Sequence, residues 1–161
     1  MAKLSSIWGD PHIIDHSTGL LVSGFSGTGA GQYISIIFDS MEFSMRKNNS
    51  RLHQEWMFTI NIPIKINDLN PKIHFINHLR SFIVKNKDCS VKITFDVAGQ
   101  KTQFEIGYGT DYNDHKLIDF QLDLTSTISD YNCTLWVSIR RNSIEDEVLI
   151  QIDSLDIGAQ V

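Results

Sequence analysis

From Gln32 onward the apolar residues recur at every second position, and side chains alternate between two faces only in an extended strand. Trp56, Phe58, Ile60, Ile62, Ile64 and Ile66 share one parity, with Thr59, Asn61 and Lys65 on the other. Val91, Ile93, Phe95 and Val97 repeat the pattern, as do Ile118, Phe120, Leu122 and Leu124, and then Leu135, Val137 and Ile139. Residues 33–38 and 41–46 read as strands, and Ile73, Phe75 and then 79–84 as a further pair. Residues 101–106, with Phe104 and Ile106 inward, return as the hairpin partner of 91–97 across Ala98-Gly99-Gln100. Val148, Ile150 and Ile152 carry the last strand, with a parity change at Ser154 before Leu155 and Ile157. Pro63 sends the far end of its strand to a sheet edge or a bulge, because it has no N–H to give the ladder. Lys47-Asn48-Asn49-Ser50 and Asn67-Asp68-Leu69-Asn70-Pro71 are turn chemistry. About nine or ten strands, with no helical period and no internal repeat, imply an antiparallel β-sandwich or jelly roll. The division is an N-terminal arm and glycine-rich segment over 1–31, then a sandwich domain over 32–161.

Length and charge narrow the classes of function. A chain of 161 residues can build a full core without metal or disulfide support. Its net charge of -5, with no basic cluster larger than Arg140-Arg141, excludes a phosphate-neutralising nucleic-acid surface. The apolar runs are far shorter than the roughly 20 residues a membrane-spanning helix needs. Lys3 is followed by no apolar run before Gly9, so no signal peptide is read at the N-terminus. Cys89 and Cys133 lack metal-type spacing, and a single bridge between them is open. Asn48 and Asn132 each begin a glycosylation triplet.

The N-terminal stretch carries the most distinctive letters, Trp8-Gly9-Asp10-Pro11-His12. Asp10 precedes a tertiary amide whose nitrogen is a basic leaving group, and its carboxyl can attack its own carbonyl carbon. His12 stands close enough in sequence to move a proton at that bond. The block resembles the Gly-Asp-Pro-His motif that opens von Willebrand factor type D domains, and that resemblance implies self-cleavage with Asp10, Pro11 and His12 as the participants. The same letters are also those of a turn, with Trp8 as an apolar anchor. The glycine-rich run over 23–31 matches neither Walker A nor Gly-x-Gly-x-x-Gly, so it reads as a flexible arm or wide turn.

A second resemblance covers roughly residues 32–157. A strand with Phe38 and Phe43, a strand ending Asn61-Ile62-Pro63, an Arg80 turn, and Cys133-Thr134-Leu135 leading through Arg140 to Asp153-Ser154-Leu155-Asp156 occur in order. This order resembles a family of small secreted β proteins of unknown function from fungi and bacteria. It implies the sandwich fold and an extracellular or cell-surface setting, and it implies no chemistry.

Catalytic patterns are missing from the letters. There is no Gly-x-Ser-x-Gly elbow, and Cys89 has no nucleophile signature. The pairs His12/His16 and His74/His78 have helix-type spacing in segments that do not read as helix. Asp119, Asp123, Asp153 and Asp156 lie at outward parity, where carboxylates are simply solvated. The expectation is therefore a chain that is not an enzyme and holds no cofactor.

Binding chemistry concentrates in the loop over 107–115, with Tyr108, Asp111, Tyr112, Asn113 and Asp114 within a few residues. Aromatic faces cover sugar C–H surfaces while Asp and Asn orient hydroxyls, and the same oxygens could hold calcium. A hairpin loop would also select these residues for turn geometry alone. Trp136 has polar strand-mates Thr134, Ser138 and Arg140, so parity turns its indole away from Leu135 and Val137. Two functional expectations follow. One is a non-catalytic, self-assembling structural or adhesive subunit that donates its N-terminal arm to a neighbour and so forms a homo-oligomer. The other is a glycan-binding, lectin-like module using Tyr108, Asp111, Tyr112, Asn113, Asp114 and Trp136, with calcium as an optional aid.

Overall fold

The computed structural model describes residues 7–17, 25–30, 32–66, 72–125 and 128–160. Ten strands form two five-stranded sheets, and no helix occurs among the described residues. The strands are β1 (His12–His16), β2 (Phe25–Ala30), β3 (Tyr33–Met45), β4 (His53–Pro63), β5 (Lys72–Lys85), β6 (Cys89–Val97), β7 (Gln100–Ile106), β8 (Tyr112–Thr125), β9 (Asp130–Arg141) and β10 (Val148–Gln160). One sheet runs β1-β4-β9-β6-β7 and the other β2-β3-β10-β5-β8, with antiparallel pairing throughout. The fold is the antiparallel sandwich that the alternation implies.

Alternation builds the core directly. Trp56, Phe58, Ile60 and Ile62 of β4 and Leu135, Val137 and Ile139 of β9 face Phe38, Phe43, Leu79, Phe120 and Ile152 from the other sheet. Ring pairs join the two layers: Phe43 with Trp56 at 5.7 Å, Phe38 with Phe58 at 6.0 Å and Phe95 with Phe120 at 5.4 Å between centroids. The parity change at Ser154 is a register shift between Ile152 and Ser154 against both β3 and β5. A bulge of this kind lets Leu155 and Ile157 resume inward pointing. The turn read over 67–71 lies outside the described residues.

Three sequence readings change. Residues 72–85 are one strand, not a pair broken near Arg80, because parity runs unbroken through Ile73, Phe75, Asn77, Leu79, Ser81, Ile83 and Lys85. The inward polar members are satisfied where they stand. Asn77 accepts from the Tyr131 hydroxyl at 2.8 Å and donates to the Phe120 carbonyl at 3.2 Å, and Ser81 donates to the Lys116 carbonyl at 2.9 Å. Residues 33–45 are likewise continuous as β3. Cys89, at the start of β6, and Cys133 are both buried free thiols, not a bridge. Burial pushes both thiols up from their ordinary pKa.

The described part of the N-terminal segment lies along the sheet edges. Trp8 is buried against Phe75 and Tyr131, and its indole N–H donates to the Gln32 carbonyl at 3.0 Å. Gly9 donates to the Pro63 carbonyl at 2.7 Å, and a Cβ there would come 3.0 Å from the Pro63 ring. Small size at Gly9 is thus what lets the chain pass Pro63 and enter β1 beside β4. β2 pairs with β3 at the edge of the second sheet.

Candidate functional site

Two neighbouring rows on the outward face of the second sheet make a groove of about 390 Å³. Parity assigns the rows. Because Ile34 and Ile36 point inward, Tyr33 and Ser35 point outward from β3, and Gly158, Asp156, Ile76 and His78 meet them in register across β10 and β5. The first row is Tyr33, Gly158 and Ile76, an apolar strip. Tyr33 is 67% exposed, yet its ring rests on the sheet, since a Cβ at Gly158 would come within 2.8 Å of Cε1. Glycine at 158 is what lets the aromatic ring settle there.

The second row is Ser35, Asp156, His78 and Asp119, on β3, β10, β5 and β8. The Ser35 hydroxyl donates to Asp156 Oδ1 at 2.5 Å, and Arg80 Nε donates to Oδ2 at 3.4 Å. His78 Nδ1 is hydrogen-bonded to the Asp119 carboxylate. A carboxylate on Nδ1 keeps the proton there in the neutral ring, which leaves Nε2 as the acceptor for a ligand hydroxyl. Farther along β5, His74 Nδ1 bonds Asp123 at 2.7 Å and Nε2 bonds Gln121 at 2.9 Å. The hydrogen bond to Asp123, then that to Gln121, raises the His74 pKa above its ordinary 6.5. His74 and His78 therefore share a face because they stand four apart on a strand, not on a helix.

The residues singled out in the loop over 107–115 do not converge. Tyr108 is exposed in the turn, and Gly109, with φ of 95°, donates to the Lys87 carbonyl at 2.7 Å. Asp111 Oδ1 accepts from the Lys87 backbone at 2.8 Å. Tyr112 already belongs to β8, packs on the core, and its hydroxyl donates to the His115 carbonyl at 3.3 Å. Asn113 alternates to the opposite side of β8 from Tyr112 and Asp114, and Asp114 accepts from the His115 backbone at 2.7 Å. The buried Lys85 ammonium donates to the carbonyls of Asn86 at 3.2 Å, Gly107 at 3.0 Å and Thr110. The loop's backbone carbonyls are thus satisfied by an ammonium, whose pKa desolvation lowers. Among the described residues no three His, Cys, Asp or Glu side chains come together as metal ligands.

Trp136 lies on the outward face of the other sheet, between Met57 and Thr94, half-buried, with the Lys101 ammonium 5.5 Å from its ring centroid. Asp10 and His12 are exposed where the chain enters β1, with His12 opposite Asn61. The groove residues Tyr33, Ser35, Ile76 and Gly158 escaped sequence reasoning, which reached His78 only through its spacing from His74. The parity of Tyr33 was in the letters, but its neighbours on β5 and β10, Ile76 and Gly158, lie far along the chain, and only register unites them.

No protein-family model matches the sequence, and no curated protein matches it. Solved structures resemble the fold at low identity. TmCBM61 in complex with β-1,4-galactotriose aligns at 9% identity and a TM-score of 0.46, over 86% of this chain and 90% of that one. A carbohydrate-binding module from Cellvibrio mixtus lichenase 5A, in complex with cellotriose, aligns at 8% identity and a TM-score of 0.35, over 93% and 100%. The insecticidal delta-endotoxin Cry8Ea1 from Bacillus thuringiensis aligns at 13% identity and a TM-score of 0.39, over 77% of this chain and 20% of that one.

Proposed function

We propose that this chain is a non-catalytic glycan-binding module whose ligand lies in the groove of Tyr33, Gly158, Ile76, Ser35, Asp156 and His78. The observation that carries the reading is the apolar strip beside a polar row. A pyranose has an apolar C–H face and an equatorial rim of hydroxyls. Tyr33 and Ile76 meet the first, while Asp156 and the free Nε2 of His78 accept hydrogen bonds from the second. The strip is rigid because it sits on strands rather than loops, so little ordering entropy opposes binding. The carboxylate of Asp156 in the wall, with that of Asp119 behind His78, disfavours phosphates and other polyanions.

Arm-mediated assembly has less support. The described parts of the arm already pair within their own chain, β1 with β4 and β2 with β3, which leaves them no free edge to offer on that side. Titration calorimetry with a panel of neutral oligosaccharides tests the groove. Tyr33→Ala should weaken binding by on the order of tenfold, the worth of one aromatic contact. Gly158→Leu, which lifts the ring and fills the floor, should weaken it at least as much. Unchanged affinity in both variants would dismiss the groove.

A further inference from the structure

The sheet opposite the groove carries its own aromatic centre. Trp136 on β9 is flanked in register by Met57 on β4 and Thr94 on β6, with Gln103 beyond on β7. On one side lie pairs of uncharged polar groups. The Thr59 and Thr134 hydroxyls are 2.8 Å apart, and Asn61 Nδ2 donates to Asn132 Oδ1 at 2.6 Å. On the other side is a hollow of about 100 Å³ lined by His53, Glu55, Lys92, Glu105, Ser138 and Arg140, with the His53 ring 3.2 Å from the Ser138 hydroxyl. Lys92, Lys101 and Arg140 share this outward face with Glu55, Asp96 and Glu105, and also with Asp15, opposite Thr59, and Asp130, opposite Pro63, so carboxylates outnumber the ammonium and guanidinium groups.

We infer that this face is a second glycan site, for an uncharged sugar chain, so that one module bridges two chains held on its opposite faces. The inference rests on the glycan-binding reading of the groove. The sign of the charge and the hydroxyl-matching side chains are the argument for the class of ligand. A face whose carboxylates outnumber its cations repels a polyanion, whereas the paired Thr and Asn side chains offer donors and acceptors to the hydroxyls of an uncharged sugar. The indole supplies the stacking surface, and Lys101, held over it only by the flexible stem of a lysine, moves aside as a sugar ring takes its place. Sheets in a sandwich stand about 10 Å apart with their outward side chains pointing in opposite directions, so a single short glycan cannot occupy both faces. Bridging follows from the architecture.

The test combines stoichiometry with emission. Glucose, galactose and mannose trimers are titrated calorimetrically into the full chain, and the matching polysaccharide is followed by light scattering. Two equivalents per chain are expected, falling to one in Tyr33→Ala and to one in Trp136→Ala, with the scattering increase lost in either variant. Trp8 and Trp56 are each only 7% exposed, so a ligand-dependent change in tryptophan emission in Tyr33→Ala reports on Trp136. Gln103→Arg, which keeps the indole and blocks its approach, should abolish that change even if Trp136→Ala folds poorly. One equivalent, lost in Tyr33→Ala without any emission change, overturns the second face and leaves the groove standing. One equivalent that survives Tyr33→Ala and is lost in Gln103→Arg overturns the groove and the bridging together. No binding of any trimer overturns the glycan reading and this inference with it.

Discussion

The guanidinium of Arg141 is buried and donates to the carbonyls of Arg46, Asn49, Arg51, Ile144 and Asp146. It ties the β3–β4 turn to the β9–β10 turn, as Lys85 ties the β7–β8 turn to β5. Both cations look solvated in the sequence, because their partners are backbone carbonyls and no letter marks those. Arg141→Leu should cost about 3 kcal/mol or more in urea denaturation, since several buried acceptors lose their donor. A loss under about 1 kcal/mol would mean water replaces the guanidinium. His74 behaves differently. Its folded-state pKa is raised, so its contribution is full below the ordinary imidazole value and fades as pH rises through the folded-state pKa. The stability gap between wild type and His74→Asn should therefore be wider near about pH 5.5 than near about pH 8.5. A gap that does not change with pH would contradict the His74–Asp123 pairing.

β5 is where element-scale reading failed, and the reason is chemical. Inward Asn77, Ser81 and Lys85 break the apolar alternation without breaking the strand, because each finds a hydrogen-bond partner at depth. Period-two patterns find strands whose inner face is apolar and miss those whose inner face is polar but satisfied. Asn77 is also a buried hydrogen-bonded link between the sheets, through the Tyr131 hydroxyl, whose pKa burial drives well up. Tyr131→Phe should destabilise by about 1–2 kcal/mol, measured by thermal or urea unfolding, with the rings around Trp8 left in place. The β6–β7 turn offers a change of opposite sign. Ala98 has φ of 51° and Gly99 of 84°, a conformation that Asn-Gly adopts more easily than Ala-Gly. Ala98→Asn should stabilise by about 0.5–1 kcal/mol, and a fall in melting temperature would show that the turn is held by something else.

For the whole molecule, the sandwich was legible because most inward positions are apolar, and the groove was not, because a groove is a property of register. Tyr33, Ile76 and Gly158 are far apart in sequence and become neighbours only through the order β3-β10-β5. The loop over 107–115 attracted attention for the converse reason: closeness in sequence suggested a cluster that strand alternation then divides. The N-terminal segment, read as an arm by composition, supplies an anchor at Trp8 and an edge strand to each sheet. The central claim is that a glycan lies along the outward rows of β3, β10 and β5. Backbone amide shifts measured by NMR during titration with a neutral trisaccharide test it most directly. The account predicts saturable shifts at Tyr33, Ser35, Ile76, His78, Asp156 and Gly158. Shifts confined to residues 107–115, with those six unmoved at saturation, would contradict it.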